Sequence, residues 1–244
     1  MKCIPCYRFS LALALGVSLW SAAALAKDLS QPTTTIPVPR NDAWWQQRQN
    51  GFNERVKQGH ADLLMIGDSI THGWEGGGAE VWKKFYAKRN AVNLGIGGDQ
   101  TQHVLWRMEH GNLDGISPKL AVLMIGTNNS GSDTPENIAL GVKAIVDKLH
   151  AKLPQMKILI LGIFPRGTDN TDRLRCVNTK ANQFIAKLAD NATVYYMDIG
   201  PKFLDKDGKL SRDIMPDLLH PNAKGYTIWA AAIEPTVAKL MGEK

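Results

Sequence analysis

From residue 61 onward, short and almost uniformly apolar runs alternate with longer stretches in which apolar positions recur every three or four residues. The runs cover 61–66, 91–94, 120–125, 157–163 and 193–197, and each is followed closely by Gly, Asp or Pro. Segments this short and this evenly apolar predict strands buried on both faces. The amphipathic stretches predict helices over 78–89, 100–110, 135–153 and 172–190, with one before the first strand (42–58) and one after the last (222–241). Thr134, Pro135 and Glu136 mark a helix start, because the hydroxyl caps orphan N–H groups and proline fits the first turn. Five strands alternating with helices predict an α/β fold: a five-stranded parallel sheet covered on both faces through right-handed crossovers. In such sheets reactive groups gather beyond the carboxyl ends of the strands.

The N-terminal residues depart from this pattern. Residues 1–26 carry Lys2 and Arg8, then an apolar run from Phe9 to Trp20, then small residues ending Ala24-Leu25-Ala26. That order predicts a secretory signal peptide cleaved after Ala26, and hence a periplasmic or secreted protein. A spanning helix needs about 20 apolar residues, and this run is shorter and interrupted by Ser18 and Ser21, so no stable membrane anchor is expected. Residues 27–41, with prolines at 32, 37 and 39, predict an extended arm. Residues 42–244 contain neither a repeat nor a linker and predict one domain.

Composition narrows the partners. With 44% hydrophobic and 21% charged residues the chain is neither disordered nor low-complexity. The formal charge of +6 falls to +4 once Lys2 and Arg8 leave with the leader, an excess too mild to point to nucleic acid. Cys3 and Cys6 leave with the same segment, and Cys176 alone cannot form an intrachain disulfide. No H-E-x-x-H or paired-histidine pattern argues for a metal, and neither G-x-G-x-x-G nor a P-loop is completed, so no cofactor is expected.

Polar turns stand where chemistry is expected. The first three strands run into Gly67-Asp68-Ser69-Ile70, Gly95-Ile96-Gly97-Gly98-Asp99 and Gly126-Thr127-Asn128-Asn129, and Asp217-Leu218-Leu219-His220-Pro221 precedes the final helix. An acid three residues before a histidine can hold the imidazole tautomer and steady the cation formed in proton transfer. Ser69, His220 and Asp217 thus offer a nucleophile, a base and its orienter. The backbone N–H groups of Ser69 and Gly98 and the amide of Asn128 offer an oxyanion hole. Glycine at 98 leaves a backbone N–H open to a substrate oxygen. Ester hydrolysis through an acyl-serine fits this set.

The four blocks Gly67-Asp68-Ser69, Gly98, Asn128 and Asp217-x-x-His220, in this order, resemble those of the SGNH (GDSL-type) hydrolases. The wording NLGIGGDQTQHVLWR (93–107), GTNN (126–129), LGIFPRG (161–167) and DLLHPNAKGY (217–226) is similar to the catalytic α subunits of intracellular platelet-activating-factor acetylhydrolase and their bacterial esterase relatives. The resemblance runs from about Asp42 to the last helix. It implies a flavodoxin-like three-layer α/β/α sandwich, Ser69 as nucleophile, His220 as base, Asp217 as its orienter, and an oxyanion hole of Ser69, Gly98 and Asn128. It implies no metal or organic cofactor. The leader, the arm and the segment Thr71 to Gly78 (THGWEGGG) depart from the eukaryotic subunits.

Other residues carry plainer expectations. Asp68 and Asp99 are expected to hold their turns, His72 and His103 to lie near the strand-end surface, and His60, His110 and His150 at helix ends. Trp44, Trp45, Trp82, Trp106 and Trp229 are expected in the core or at seams, whereas Trp74 either stacks on a ligand ring or pins its loop. The leading expectation is an esterase of short acyl groups, acetyl foremost, on carbohydrate or small lipid esters. A lysophospholipase or thioesterase for longer chains, and a non-catalytic glycan-binding module, are its rivals. A homodimer is compatible with the sequence.

Overall fold

The computed structural model describes residues 31–243, so the leader expected over 1–26 lies outside the described residues. Five strands, β1 (Leu63–Gly67), β2 (Ala91–Gly95), β3 (Leu120–Met124), β4 (Lys157–Leu161) and β5 (Val194–Met197), form one sheet in the order β2-β1-β3-β4-β5. Every pairing is parallel, and Gly67 at the end of β1 stands level with Gly95 and Met124. This is the flavodoxin-like order, with its topological switch between β1 and β3.

Among the described residues, seven helices connect and flank the strands: α1 (Ala43–Lys57), α2 (Ser69–His72), α3 (Ala79–Phe85), α4 (Thr101–Glu109), α5 (Pro135–Lys152), α6 (Arg173–Ile185) and α7 (Ala223–Met241). Alternation along each strand sends residues to two cores. Leu64, Ile66, Ala121, Leu123, Ile158 and Ile160 pack with apolar residues of α1, α4, α5 and α6. Leu63, Met65, Leu120, Val122, Leu159 and Leu161 pack under α2 and α7. Both sheet faces are therefore covered, which is why the strands read as continuous apolar runs.

Local chemistry fixes the helix starts. Thr134 Oγ1 accepts from Asn137 N at 3.2 Å ahead of Pro135, Asp172 Oδ1 accepts from Arg175 N at 2.8 Å, and Asn222 Oδ1 accepts from Lys224 N at 3.0 Å. The boundaries also depart from the hydropathy pattern. The helix expected over 78–89 stops at Phe85 and continues as a 3₁₀ turn, Ala87–Arg89, closed by left-handed Asn90. The fourth strand ends at Leu161 although the apolar run continues to Ile163. There the Asn182 amide replaces a neighbouring strand, accepting from Ile163 N at 2.8 Å and donating to Ile163 O at 3.0 Å.

The residues before α1 lie along α4 and α5. Thr34, in a 3₁₀ turn over Thr33–Thr35, is buried, donates to Asn137 O at 2.7 Å and accepts from Thr101 Oγ1 at 2.9 Å. A Cβ at Gly141 would stand 2.8 Å from Thr34 O, so glycine there lets the segment close on α5. No helix among the described residues is long and apolar enough to cross a membrane.

Candidate active site

Ser69 opens α2 directly after β1, at the sheet's switch point. Its Oγ lies 2.8 Å from His220 Nε2, and His220 Nδ1 lies 2.6 Å from Asp217 Oδ2. With the Nδ1 proton held by the carboxylate, Nε2 is free to accept from the serine hydroxyl. Asp217 Oδ1 also accepts from Leu219 N at 3.0 Å and His220 N at 2.8 Å, so one carboxylate shapes the turn and orients the ring. Partial desolvation pushes the Asp217 carboxyl up, but the His220 N–H, the imidazole and Leu219 N outweigh it and hold the carboxyl below its usual value. Leu218 adopts a left-handed conformation (φ 59°) inside this turn, and Gly167 N donates to its carbonyl at 2.9 Å. Arg175, itself buried, donates to Arg166 O at 2.7 Å and Gly167 O at 2.9 Å, which fixes the loop that braces the histidine turn.

The loops that carry the expected oxyanion donors come together beside Ser69. A Cβ built at Gly97 would lie 3.8 Å from Ser69 Cβ, so the loop after β2 runs against Ser69. Gly98 has φ +78°, a conformation that favours glycine. Asn128 Nδ2 gives one N–H to Asp99 O at 2.9 Å, which ties the loop after β3 to the loop after β2 and leaves its second N–H for a ligand. Among the described residues, neither Ser69 N nor Gly98 N donates to a protein acceptor.

Trp45, Arg107 and Arg40 hold this loop through Asp99 and the Gly97 carbonyl, and no sequence motif links them. Asp99 is buried and receives Trp45 Nε1 at 2.7 Å and Arg107 Nε at 2.9 Å. Arg107 is also buried and spends its remaining groups on Asn112 Oδ1 and Leu94 O. From the solvent side Arg40 Nη1 donates to Gly97 O at 2.7 Å. Only the aspartate was visible in the sequence, as a turn residue after the glycines. Its partners are a tryptophan, an arginine on α4 and an arginine of the arm, with no common spacing.

Asp68 is buried and caps α2, its Oδ1 accepting from Ile70 N at 2.9 Å, while Oδ2 has no partner among the described residues. Desolvation dominates and raises the carboxyl to about 7, against the pull of the Ile70 N–H. The expectation that Trp44 belongs to the core or a seam is overturned: its neighbour Trp45 points inward, and Trp44 is 47% exposed. Consecutive helical residues are about 100° apart, so the two indoles cannot both face the sheet. Trp74 is buried among Tyr226 (4.5 Å between ring centroids), Trp229 (4.9 Å) and Tyr86 (5.3 Å), so it pins its loop. The neighbouring glycines serve that packing, since a Cβ at Gly73 would strike the Tyr226 hydroxyl and one at Gly78 would meet Trp74 at 2.6 Å. His103 is turned to the backbone, where Nδ1 accepts from Gln100 N at 3.0 Å at the start of α4. Cys176 is an exposed thiol, and no group of three His, Cys, Asp or Glu among the described residues is placed to hold a metal ion.

A serine, histidine and aspartate at the carboxyl edge of a five-stranded parallel sheet define an α/β ester hydrolase without a nucleophile elbow. The chain belongs to the GDSL-like lipase/acylhydrolase family, whose model matches residues 65–228. Platelet-activating factor acetylhydrolase IB subunit alpha1 of Bos taurus is 36% identical over 213 residues, covering 87% of this chain and 90% of its own. Among solved structures, a GDSL-like lipase from Bacteroides thetaiotaomicron matches with a TM-score of 0.64 at 20% identity, covering 79% of this chain and 97% of its own. The acetyl xylan esterase AlAXEase matches with a TM-score of 0.62 at 22% identity, covering 72% and 98%. The protein is an ester hydrolase with the SGNH fold.

Proposed function

We propose that the chain is a serine esterase that removes short acyl groups, acetyl foremost, from carbohydrate or small lipid esters. One observation carries this reading: the unbroken relay from Ser69 Oγ to His220 Nε2 (2.8 Å) and from His220 Nδ1 to Asp217 Oδ2 (2.6 Å). Ser69 Oγ attacks the ester carbonyl as His220 takes its proton, and the carbonyl oxygen gains negative charge facing Ser69 N, Gly98 N and Asn128 Nδ2. The alkoxide leaves with the proton from His220, and an acyl-serine remains. Water, deprotonated by the same imidazole, attacks that ester, and the acid is released as Ser69 regains its proton. Each uncharged donor in such a hole contributes about 3 to 4 kcal/mol to the barrier reduction.

Support for a short acyl group comes from the relatives. The acetylhydrolase name of the Bos taurus relative and the acetyl xylan esterase among the structural matches agree on acetyl as the acyl group. The leader expected over residues 1–26 makes the periplasm or the medium the place of action, which cell fractionation tests.

The decisive experiment is labelling with a fluorophosphonate followed by peptide mapping. Modification of Ser69, with loss of p-nitrophenyl acetate hydrolysis in Ser69→Ala at unchanged circular dichroism, is the expected result. An unlabelled wild-type protein, or a turning-over Ser69→Ala variant, overturns the reading.

A further inference from the structure

We infer that Trp44 and His72 form a sugar-ring subsite on the rim of the catalytic cleft, the apolar face of a pyranose lying on the indole and one of its hydroxyls meeting His72 Nδ1. The inference rests on the esterase reading of Ser69 and names the alcohol half of its substrate. Its geometry centres on one point. The Cβ position that Gly97 leaves empty is 3.8 Å from Ser69 Cβ, 3.9 Å from His72 Nδ1 and 3.9 Å from Trp44 Cη2. Nucleophile, imidazole and indole edge therefore border the same small space, which exists because residue 97 has no side chain.

Trp44 is the one aromatic among the large apolar side chains exposed on the described residues, the others being Ile36, Val38 and Leu140. An exposed indole offers a large flat apolar face to a ligand. The ring is also braced. Arg40 stands over it at 5.2 Å from the centroid and is itself tied to Gly97 O and Asp42. A braced aromatic loses little freedom when a ligand arrives.

His72 supplies the polar half. Its Nε2 faces Glu75 at 4.0 Å, and among the described residues Nδ1 has no hydrogen-bond partner. The side chain is 35% exposed, so Nδ1 can give or take one hydrogen bond with a hydroxyl. Burial foremost, then Arg48, lowers its pKa, which keeps the ring neutral in neutral solution. An apolar plate beside a neutral donor or acceptor matches a ring with C–H faces and equatorial hydroxyls. A quaternary ammonium head group also suits an aromatic face, but here it would meet the guanidinium groups of Arg40 and, beside His72, Arg48.

The test compares kcat/KM for a methyl O-acetyl-xylopyranoside, ethyl acetate and ethyl butyrate, followed in a pH-stat. Trp44→Ala is expected to lower the sugar-ester value by about tenfold relative to ethyl acetate, mostly through KM. Trp44→Phe should restore most of it. Gly97→Ala, which fills the shared point while leaving the indole in place and at a backbone φ open to alanine, should act in the same direction. Equal losses on sugar ester and ethyl acetate overturn the subsite, as does a Trp44→Ala variant whose only change is faster ethyl butyrate hydrolysis, which would make the indole a cap on the acyl group. A wild-type enzyme that hydrolyses ethyl acetate and not the sugar ester overturns the carbohydrate assignment. One that hydrolyses neither overturns the esterase reading itself.

Discussion

Arg40 Nη1 donates to the carbonyl oxygen of Gly97 at 2.7 Å and stands 3.6 Å from Asp99 Oδ1, so a residue of the N-terminal arm holds the loop that presents the Gly98 N–H. The loop is clamped from two sides, by Trp45 and Arg107 within the domain and by Arg40 at its surface. Arg40 is in turn placed by Asp42 and by Gln46 Nε2, which donates to its carbonyl at 2.6 Å. An oxyanion donor acts on the charged transition state more than on the bound ester.

Arg40→Ala should therefore lower kcat on ethyl acetate by about tenfold while KM changes little. Arg40→Lys should recover part of the loss, because an ammonium can reach one carbonyl but cannot reproduce the guanidinium fork. Steady-state kinetics with both variants check this, and a raised KM at unchanged kcat would show that Arg40 serves binding instead.

The sheet and the grouping of Ser69, His220 and Asp217 were legible in the sequence for a shared physical reason. Strands covered on both faces must be apolar throughout, so the five runs stand out, and the chain can place polar groups only where those runs stop. Ser69, Gly98 and Asn128 sit at three such stops, and Asp217 lies one turn from His220. What escaped depends on tertiary contact. Arg40 lies in a proline-rich stretch whose sequence does not say where it folds back, and Trp44 differs from Trp45 only in helical phase, which two adjacent tryptophans leave open. The end of β4 was hidden because Asn182, on α6, satisfies the Ile163 backbone that a longer strand would have paired.

Gly98 tests the loop from within. Its φ of +78° costs a side chain strain, and a Cβ there would lie 2.9 Å from Arg40 Nη1. Gly98→Ala should reduce kcat by about tenfold or more with the fold retained. Because the contact with Arg40 vanishes in Arg40→Ala, the double variant should lose less than the product of the two single losses. A double-mutant cycle on kcat measures this coupling, and strict multiplicativity would mean that Arg40 and Gly98 act independently.

The pH profile follows from Asp217. Its carboxyl is held below the usual range by the His220 N–H, the imidazole and Leu219 N despite partial burial, so it stays ionised from pH 8 to pH 5. Acidification over that range adds no proton to this carboxylate, so any fall in log kcat/KM should have a limiting slope no steeper than one. Asp217→Asn keeps an acceptor for the backbone N–H groups yet loses the charge that steadies the imidazolium, and kcat should fall by about 10⁴-fold. A slope of two, or an Asp217→Asn variant within tenfold of wild type, would place the orienting acid elsewhere.

Asp68 predicts a stability profile of its own. Burial raises its carboxyl from 3.8 to about 7 in the folded protein, and one oxygen has no partner among the described residues. Between those values the folded chain binds a proton that the unfolded chain has released, so folding stability falls as pH rises. The contribution is fully present below pH 3.8 and lost as the pH climbs through about 7. Asn at this position keeps Oδ1 for Ile70 N and cannot ionise. Urea unfolding at pH 5 and pH 8 should therefore show wild-type stability dropping by a few kcal/mol more than that of Asp68→Asn. Parallel profiles would mean that Asp68 is already ionised in the folded state and that its second oxygen finds a partner the fold does not otherwise supply.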